Sequence, residues 1–236
     1  MKNRTKEILR ALIREFVNTA HPVASTHLLK SGQFKVSSAT VRNEFAILEE
    51  AKLIHSPHVS AGKIPTEKGY RFFVDELLTQ KTEIVAMDSI IIEHIKQYKL
   101  HKSKESIFDA LQLIARVSQC VAFATIESDQ TLYIGLSEVL RSPEFLESPE
   151  MAAQVVEILE GRERFHALLH QLHIPNNTVK ICIGQENLLK EISSCAMVVT
   201  KFQTSGSAGM LGLLGPMRMN YGFNRSLIAQ VTQMLV

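Results

Sequence analysis

The sequence predicts an α+β protein built from unlike parts, and three observations carry that prediction. Through residues 8–50 apolar side chains recur three and four positions apart, the period of amphipathic helices, and a hairpin-like stretch follows. From Gln119 onward, short apolar runs of strand character are interspersed with long helical patterns, as in an α+β domain. Of the 236 residues, 45% are hydrophobic and 21% charged, which leaves ample apolar material for a core. The boundaries fall at 1–78, 79–118 and 119–236.

In the first part, Ile8, Leu9, Leu12, Ile13, Phe16 and Val17 define one helix. "NTAHPV" breaks it, with Pro22 placed to start the next element. "ASTHLLKSG" reads as a short second helix ending near Gly32, a residue type that terminates helices. The third helix lies in "KVSSATVRNEFAILEEAKLI", with Ser37 or Ser38 as its N-cap. Leu53, Ile54 and His55 suggest a short strand. "SAGKIPT" has turn chemistry at Gly62 and Pro65, so a hairpin with an irregular tip is predicted. Thr66 then caps a helix through Leu78, with Tyr70, Phe72, Phe73 and Leu77 as buried candidates. Three helices, a hairpin and a helix is the order of a winged helix-turn-helix.

The third helix presents two faces. Val41, Phe45 and Leu48 form an apolar stripe that must meet a core. Ala39, Asn43, Ala46 and Glu50 lie opposite, with Arg42 on the flank. Small residues let a helix backbone approach a major groove. Arg42 could bond guanine, Asn43 adenine, and the hydroxyls of Ser37, Ser38 and Thr40 phosphates. Glu44, Glu49 and Glu50 crowd the other end and would repel DNA, so insertion N-terminus first is expected. A capped surface helix that only packs is the alternative reading of the same pattern. Charge leans the same way as DNA binding: residues 1–80 hold 12 Lys/Arg against 8 Asp/Glu, and the remainder 14 against 16.

Residues 79–118 read as two amphipathic helices, "EIVAMDSIIIEHIKQY" and "KESIFDALQLIARVS", joined by the basic "KLHKSK". From Gln119, "CVAFATI" and "TLYIGLSEVL" read as strands, and "SPEMAAQVVEILEGRERFHALLHQL" as a helix. "VKICIGQE", "CAMVVTKF" and "MLGLLGPMRM" are further strands, and "NRSLIAQVTQML" is the closing helix.

Several other readings are weak. No apolar run reaches the ~18–20 residues of a membrane helix, and the charged N-terminus lacks a signal peptide's apolar block, so a cytoplasmic location is expected. Cys120, Cys182 and Cys195 are odd in number and lack CxxC spacing, which favours buried thiols over a disulfide framework. His166, His170 and His173 share one face of a helix, with Glu163 able to join them. That geometry could hold zinc, but an amphipathic helix with partly exposed histidines is preferred and no metal is assigned. Gly209, Gly212 and Gly215 sit among apolar residues with no Lys-Ser/Thr after them, so close strand packing is preferred over a nucleotide loop. No GxSxG or HExxH is present, and neither a catalytic centre nor a cofactor is expected.

"SSATVRNEFAILEEAKLI" with "SPHVSAGKIPTEKGYRFFVDELL" closely resembles the N-terminal domain of the HrcA family of heat-inducible transcription repressors. "TKEILRALIREFVNTAHPVAS", "PEF" at 143–145, "IGQENLLKEISSCAMVVTKF" and "GLLGPMRMNYGFNRSLIAQV" are similar to the same family. The resemblance implies a winged-helix DNA-binding domain at 1–78, linker or dimerisation helices at 79–118, and a GAF-like regulatory domain at 119–236. It implies a dimer that binds double-stranded DNA at an inverted-repeat (CIRCE-type) operator of chaperone operons. The chaperonin GroEL would keep it active, and heat stress would release it. Carried onto this sequence, the DNA-binding positions are Ser37, Ser38, Thr40, Arg42, Asn43, Ser60, Gly62, Lys63 and Thr66. Family members are usually much longer. Here "CVAFATIESDQ" runs almost directly into "TLYIGLSEVL", so the GAF-like domain is truncated and the dimerising insertion is missing. The rival reading is a regulator whose GAF-like domain binds a small molecule.

Overall fold

The computed structural model describes residues 1–30, 32, 34–59, 61–77, 91–93, 104–126, 130–203 and 208–235. The chain divides into two compact units, Met1–Gln80 and Lys81–Val236.

In the first unit, α1 (Asn3–Thr19) buries Ile8, Leu9, Leu12 and Ile13 completely. It stops at Ala20, whose left-handed backbone returns its N–H to Phe16 O. Pro22 lies in the break before α2 (Ser25–Lys30), and α3 (Ser38–Glu50) follows. Val41, Phe45 and Leu48 of α3 are buried, as their spacing requires. The predicted hairpin forms from β1 (Ile54–His55) and β2 (Ile64–Pro65), paired antiparallel. A further pair of backbone bonds between Val23 and Lys63, both 2.9 Å, ties the ribbon to the segment that precedes α2. α4 (Glu67–Phe72) starts on the Thr66 cap and runs into a π turn at Phe73–Leu77; Leu78 lies outside the described residues. Tyr70 and Phe73 are buried, whereas Phe72 stays half-exposed beneath the Lys6 ammonium.

The second unit is a five-stranded antiparallel sheet with helices on both faces. Its strands are β3 (Val121–Ile126), β4 (Gln130–Ile134), β5 (Val179–Ile183), β6 (Cys195–Gln203) and β7 (Ala208–Pro216), in the order β4-β3-β7-β6-β5. On one face lie α5 (Lys104–Ser118) and α10 (Tyr221–Leu235), packed on each other and on the strands. The other face carries the short helices α6 (Leu136–Leu140) and α7 (Pro143–Glu147), then α8 (Pro149–Glu160) and α9 (Arg162–Gln171). Helices on both sides explain why β6 is buried without alternation from Cys195 to Thr200. The fold is therefore α+β.

Three details differ from the pattern read in the sequence. The stretch 104–118, read as part of a linker, buries Ile107, Ala110, Leu111 and Ile114 and contacts β3, β4 and α10. The stretch 79–90 and residues 94–103 lie outside the described residues. The "TLYIGLSEVL" strand ends at Ile134. Gly135 turns the chain at φ +92°, where a Cβ would stand 2.7 Å from Cys120 O, and a helical turn follows. The long helix from Pro149 is two helices, because Gly161 leaves helical geometry and closes α8 by donating to Glu157 O. Where "CVAFATIESDQ" runs almost directly into "TLYIGLSEVL", β3 and β4 pair in register from Ala122↔Ile134 to Ile126↔Gln130.

The three glycines of β7 are packing positions, as their apolar setting suggested. A Cβ on Gly209 would meet Thr125 O at 1.7 Å, and one on Gly212 would meet Phe123 Cζ at 2.5 Å. The space at Gly212 admits the Phe123 ring, which packs edge-on against Phe165 of α9 with centroids 4.9 Å apart. The three cysteines are buried and outside any disulfide. Desolvation pushes the Cys120 and Cys195 thiols up to about 12.

Candidate nucleic-acid interface

α3 begins with two pairs of hydroxyls. Ser37 is the N-cap: its Oγ accepts from Thr40 N at 3.1 Å and lies 3.0 Å from Thr40 Oγ1. Ser38 Oγ lies 3.2 Å from Ser25 Oγ, which joins the first turn of α3 to the first turn of α2. The two serines thus divide the work that the sequence left open between them.

Beyond the cap, the exposed residues of α3 are Ala39, Arg42, Asn43, Ala46, Ile47, Glu49 and Glu50. Arg42 and Asn43 are consecutive and so stand about 100° apart on the helix, with Ala39 and Ala46 between them and the exposed Ile47 one turn beyond Asn43. The arrangement offers a bidentate cation and an amide with only small side chains between them.

Glu44 departs from the sequence reading, which grouped it with the charges that repel DNA. It is 3% exposed and faces α1. Thr5 Oγ1 donates to its Oε2 and Arg4 Nε to its Oε1, each at 2.7 Å. The Thr5 hydroxyl, and then the Arg4 guanidinium, hold its carboxyl below the usual carboxylate range against the opposing effect of burial. A signal was present in the sequence, because Val41, Glu44, Phe45 and Leu48 follow i, i+3, i+4, i+7 spacing. Removing Glu44 from the surface leaves Glu49 and Glu50 as the exposed acids of α3.

The ribbon supplies the remaining candidates. Lys63 Nζ lies 2.6 Å from Glu49 Oε2, so the ribbon lysine is tied to the acidic end of α3. Gly62 is held against backbone: a Cβ there would come within 2.6 Å of Val23 C and 2.7 Å of Pro22 O. Thr66 spends its hydroxyl on structure, accepting from Gly69 N at 3.0 Å and donating to Lys52 O at 2.7 Å. Ser60 lies outside the described residues, and its neighbour Val59 is fully exposed. Ser37, Ser38, Thr40, Arg42 and Asn43 therefore gather on one helix, whereas Gly62 and Thr66 have local structural duties.

The three-histidine face does not form. α9 ends at Gln171, and His173 follows at φ +46° with its Nδ1 2.6 Å from Gln171 O. Among the described residues no group of three metal-ligating side chains occurs. No described helix is long and apolar enough to cross a membrane.

Residues 71–223 match the family model described as HrcA protein C terminal domain. The heat-inducible transcription repressor HrcA of Gloeobacter violaceus is 35% identical over 173 residues, which cover 64% of this chain and 47% of that protein. The protein of the same name from Limosilactobacillus reuteri is 38% identical over 130 residues, 55% of this chain and 37% of that one. The chain thus spans less than half the length of these two relatives. The namesake from Desulfitobacterium hafniense aligns over 340 positions at 24% identity, covering 100% of this chain and 96% of that protein. That alignment is far longer than the 236 residues here, so a large part of the relative has no counterpart. A crystal structure described as that of a hypothetical protein superposes with a TM-score of 0.79 at 18% identity, over 100% of this chain and 97% of the other. That likeness concerns the fold alone.

Proposed function

Because the chain belongs to the HrcA family, we propose that it is a sequence-specific DNA-binding transcriptional repressor of heat-shock chaperone operons. In this reading the first unit is a winged helix-turn-helix, with α3 as recognition helix and the β1–β2 ribbon as wing. The observation that carries it is the outward face of α3, where Arg42 and Asn43 are exposed with only Ala39 and Ala46 between them while Glu44 is turned inward. Arg42 and Asn43 read base edges, and Ser37, Ser38 and Thr40 with the helix N-terminus meet phosphates. Ser60, Gly62, Lys63 and Thr66 belong to the wing, Gly62 and Thr66 by holding its shape. The second unit is the GAF-like regulatory domain.

The operator is an inverted repeat and therefore takes two copies of the chain. Activity is maintained by the chaperonin GroEL and lost on heat stress.

A mobility-shift titration on an inverted-repeat operator tests the assignment. Arg42→Ala and Asn43→Ala should each cost about 1–3 kcal/mol of operator preference while leaving nonspecific binding nearly intact. Unchanged operator affinity in both variants refutes the recognition-helix role. Operator affinity measured before and after brief heating, with and without GroEL, tests regulation; no chaperonin effect removes that part of the reading.

A further inference from the structure

The second unit contains a cavity of about 650 Å³ that DNA binding does not use. It lies at one end of the sheet, between α9 and the strands. Thr125, Met210 and Lys201 come from adjacent positions on β3, β7 and β6 and line it together. Met210 is buried on the face toward α9 and makes the base of the cavity apolar. His166 and His170 face it from successive turns of α9, with Nε2 atoms 3.2 Å apart and ring centroids 4.4 Å apart. Asn176 and Asn177, from the connection between α9 and β5, also line it. Among the described lining residues, none is acidic.

We propose that this cavity binds a small carboxylate with an apolar body. Two imidazoles, an ammonium and the side-chain amides supply donors for the carboxylate. The buried methionine accepts hydrocarbon, and the volume suits a small organic molecule. A compact inorganic anion would leave that apolar base wet. The histidine separation would also fit two ligands of a tetrahedral ion with bonds of about 2.0–2.1 Å. Lys201 opposes that alternative, because it brings positive charge to the same cavity, and no third metal-ligating side chain joins the pair among the described residues. The site stands apart from the operator reading, since all its residues belong to the second unit.

Calorimetric titration of the full chain with benzoate tests the proposal, with inorganic phosphate, benzylamine and Zn²⁺ as separate arms. Benzoate should saturate one site per chain and raise the melting temperature, and benzylamine should not bind. His170→Ala and Lys201→Ala remove exposed side chains, so both variants should fold; each should weaken benzoate by about tenfold, the loss of one charge-assisted bond. The proposal is overturned by any of four results. These are no saturable benzoate heat in the millimolar range, equal affinity in both variants, benzylamine or phosphate binding as tightly as benzoate, or stoichiometric Zn²⁺ binding that displaces benzoate. Mobility-shift titration in the same preparation reads operator binding independently.

Discussion

Glu44 shows how one side chain can belong to α3 without belonging to its exposed face. Its carboxylate is buried, and both oxygens are satisfied by α1 through Thr5 and Arg4. Arg4 is half-exposed, so solvent screens its share, and the Thr5 bond carries most of the net effect. Glu44→Gln should therefore destabilise the first unit by about 1–2 kcal/mol in urea at neutral pH. The pH dependence follows from the depressed carboxyl. Its stabilisation is full above the unfolded carboxylate range and fades as pH falls through the lower, folded value. The gap between parent and variant should close in acid, and a gap that persists undiminished there rules out the charged form as its source. Gly62 makes the complementary case. Backbone lies where its Cβ would be, so Gly62→Ala should lower the melting temperature as well as operator affinity. A loss of affinity at unchanged stability would instead mark direct DNA contact at Gly62.

At the scale of elements, α3 and the ribbon are coupled by charge. The Lys63–Glu49 pair joins the ribbon to the C-terminal end of the helix. Within the proposed function, Lys63 must leave Glu49 to reach a phosphate. Glu49→Gln should thus strengthen DNA binding and steepen its salt dependence, and Lys63→Ala should flatten it by about one unit of slope. Salt slopes identical to the parent in both variants would show that Lys63 stays off the backbone. The same scale shows where periodicity is a good guide. α1 and α3 were legible because each buries a regular face, and the three strands of the C-terminal half because each is a short, nearly continuous apolar run. The turn at Gly135 and the break at Gly161 were not, since a glycine within an apolar run is read the same way whether the chain passes straight through or turns.

For the whole molecule, the proposed inverted-repeat operator requires two copies, and sedimentation at micromolar concentration should give twice the chain mass of 26.5 kDa. A monomer that still protects both half-sites would separate DNA binding from dimerisation in solution. All three cysteines lie in the second unit and are buried there. A thiol reagent should leave them unmodified in the native protein and label all three after denaturation. Rapid labelling under native conditions would reveal low-energy opening of the sheet. Such opening at heat-shock temperatures would give the second unit a direct route to thermal response.

Sequence alone determined the α+β character, the order of helices and hairpin in the first unit, and the placing of Asn43 opposite an apolar stripe with Arg42 on its flank. These are short-range properties, set by the period of each element and by residues three or four apart. Tertiary structure decided what depends on contacts between distant segments. It turned Glu44 inward, because Thr5 and Arg4 are near it only after α1 packs on α3. It tied Lys63 to Glu49, and it gave Gly62 its role by placing the Pro22–Val23 backbone against it. It also made 104–118 a core helix and placed the α9 histidines beside Lys201, since these partners are far apart along the chain.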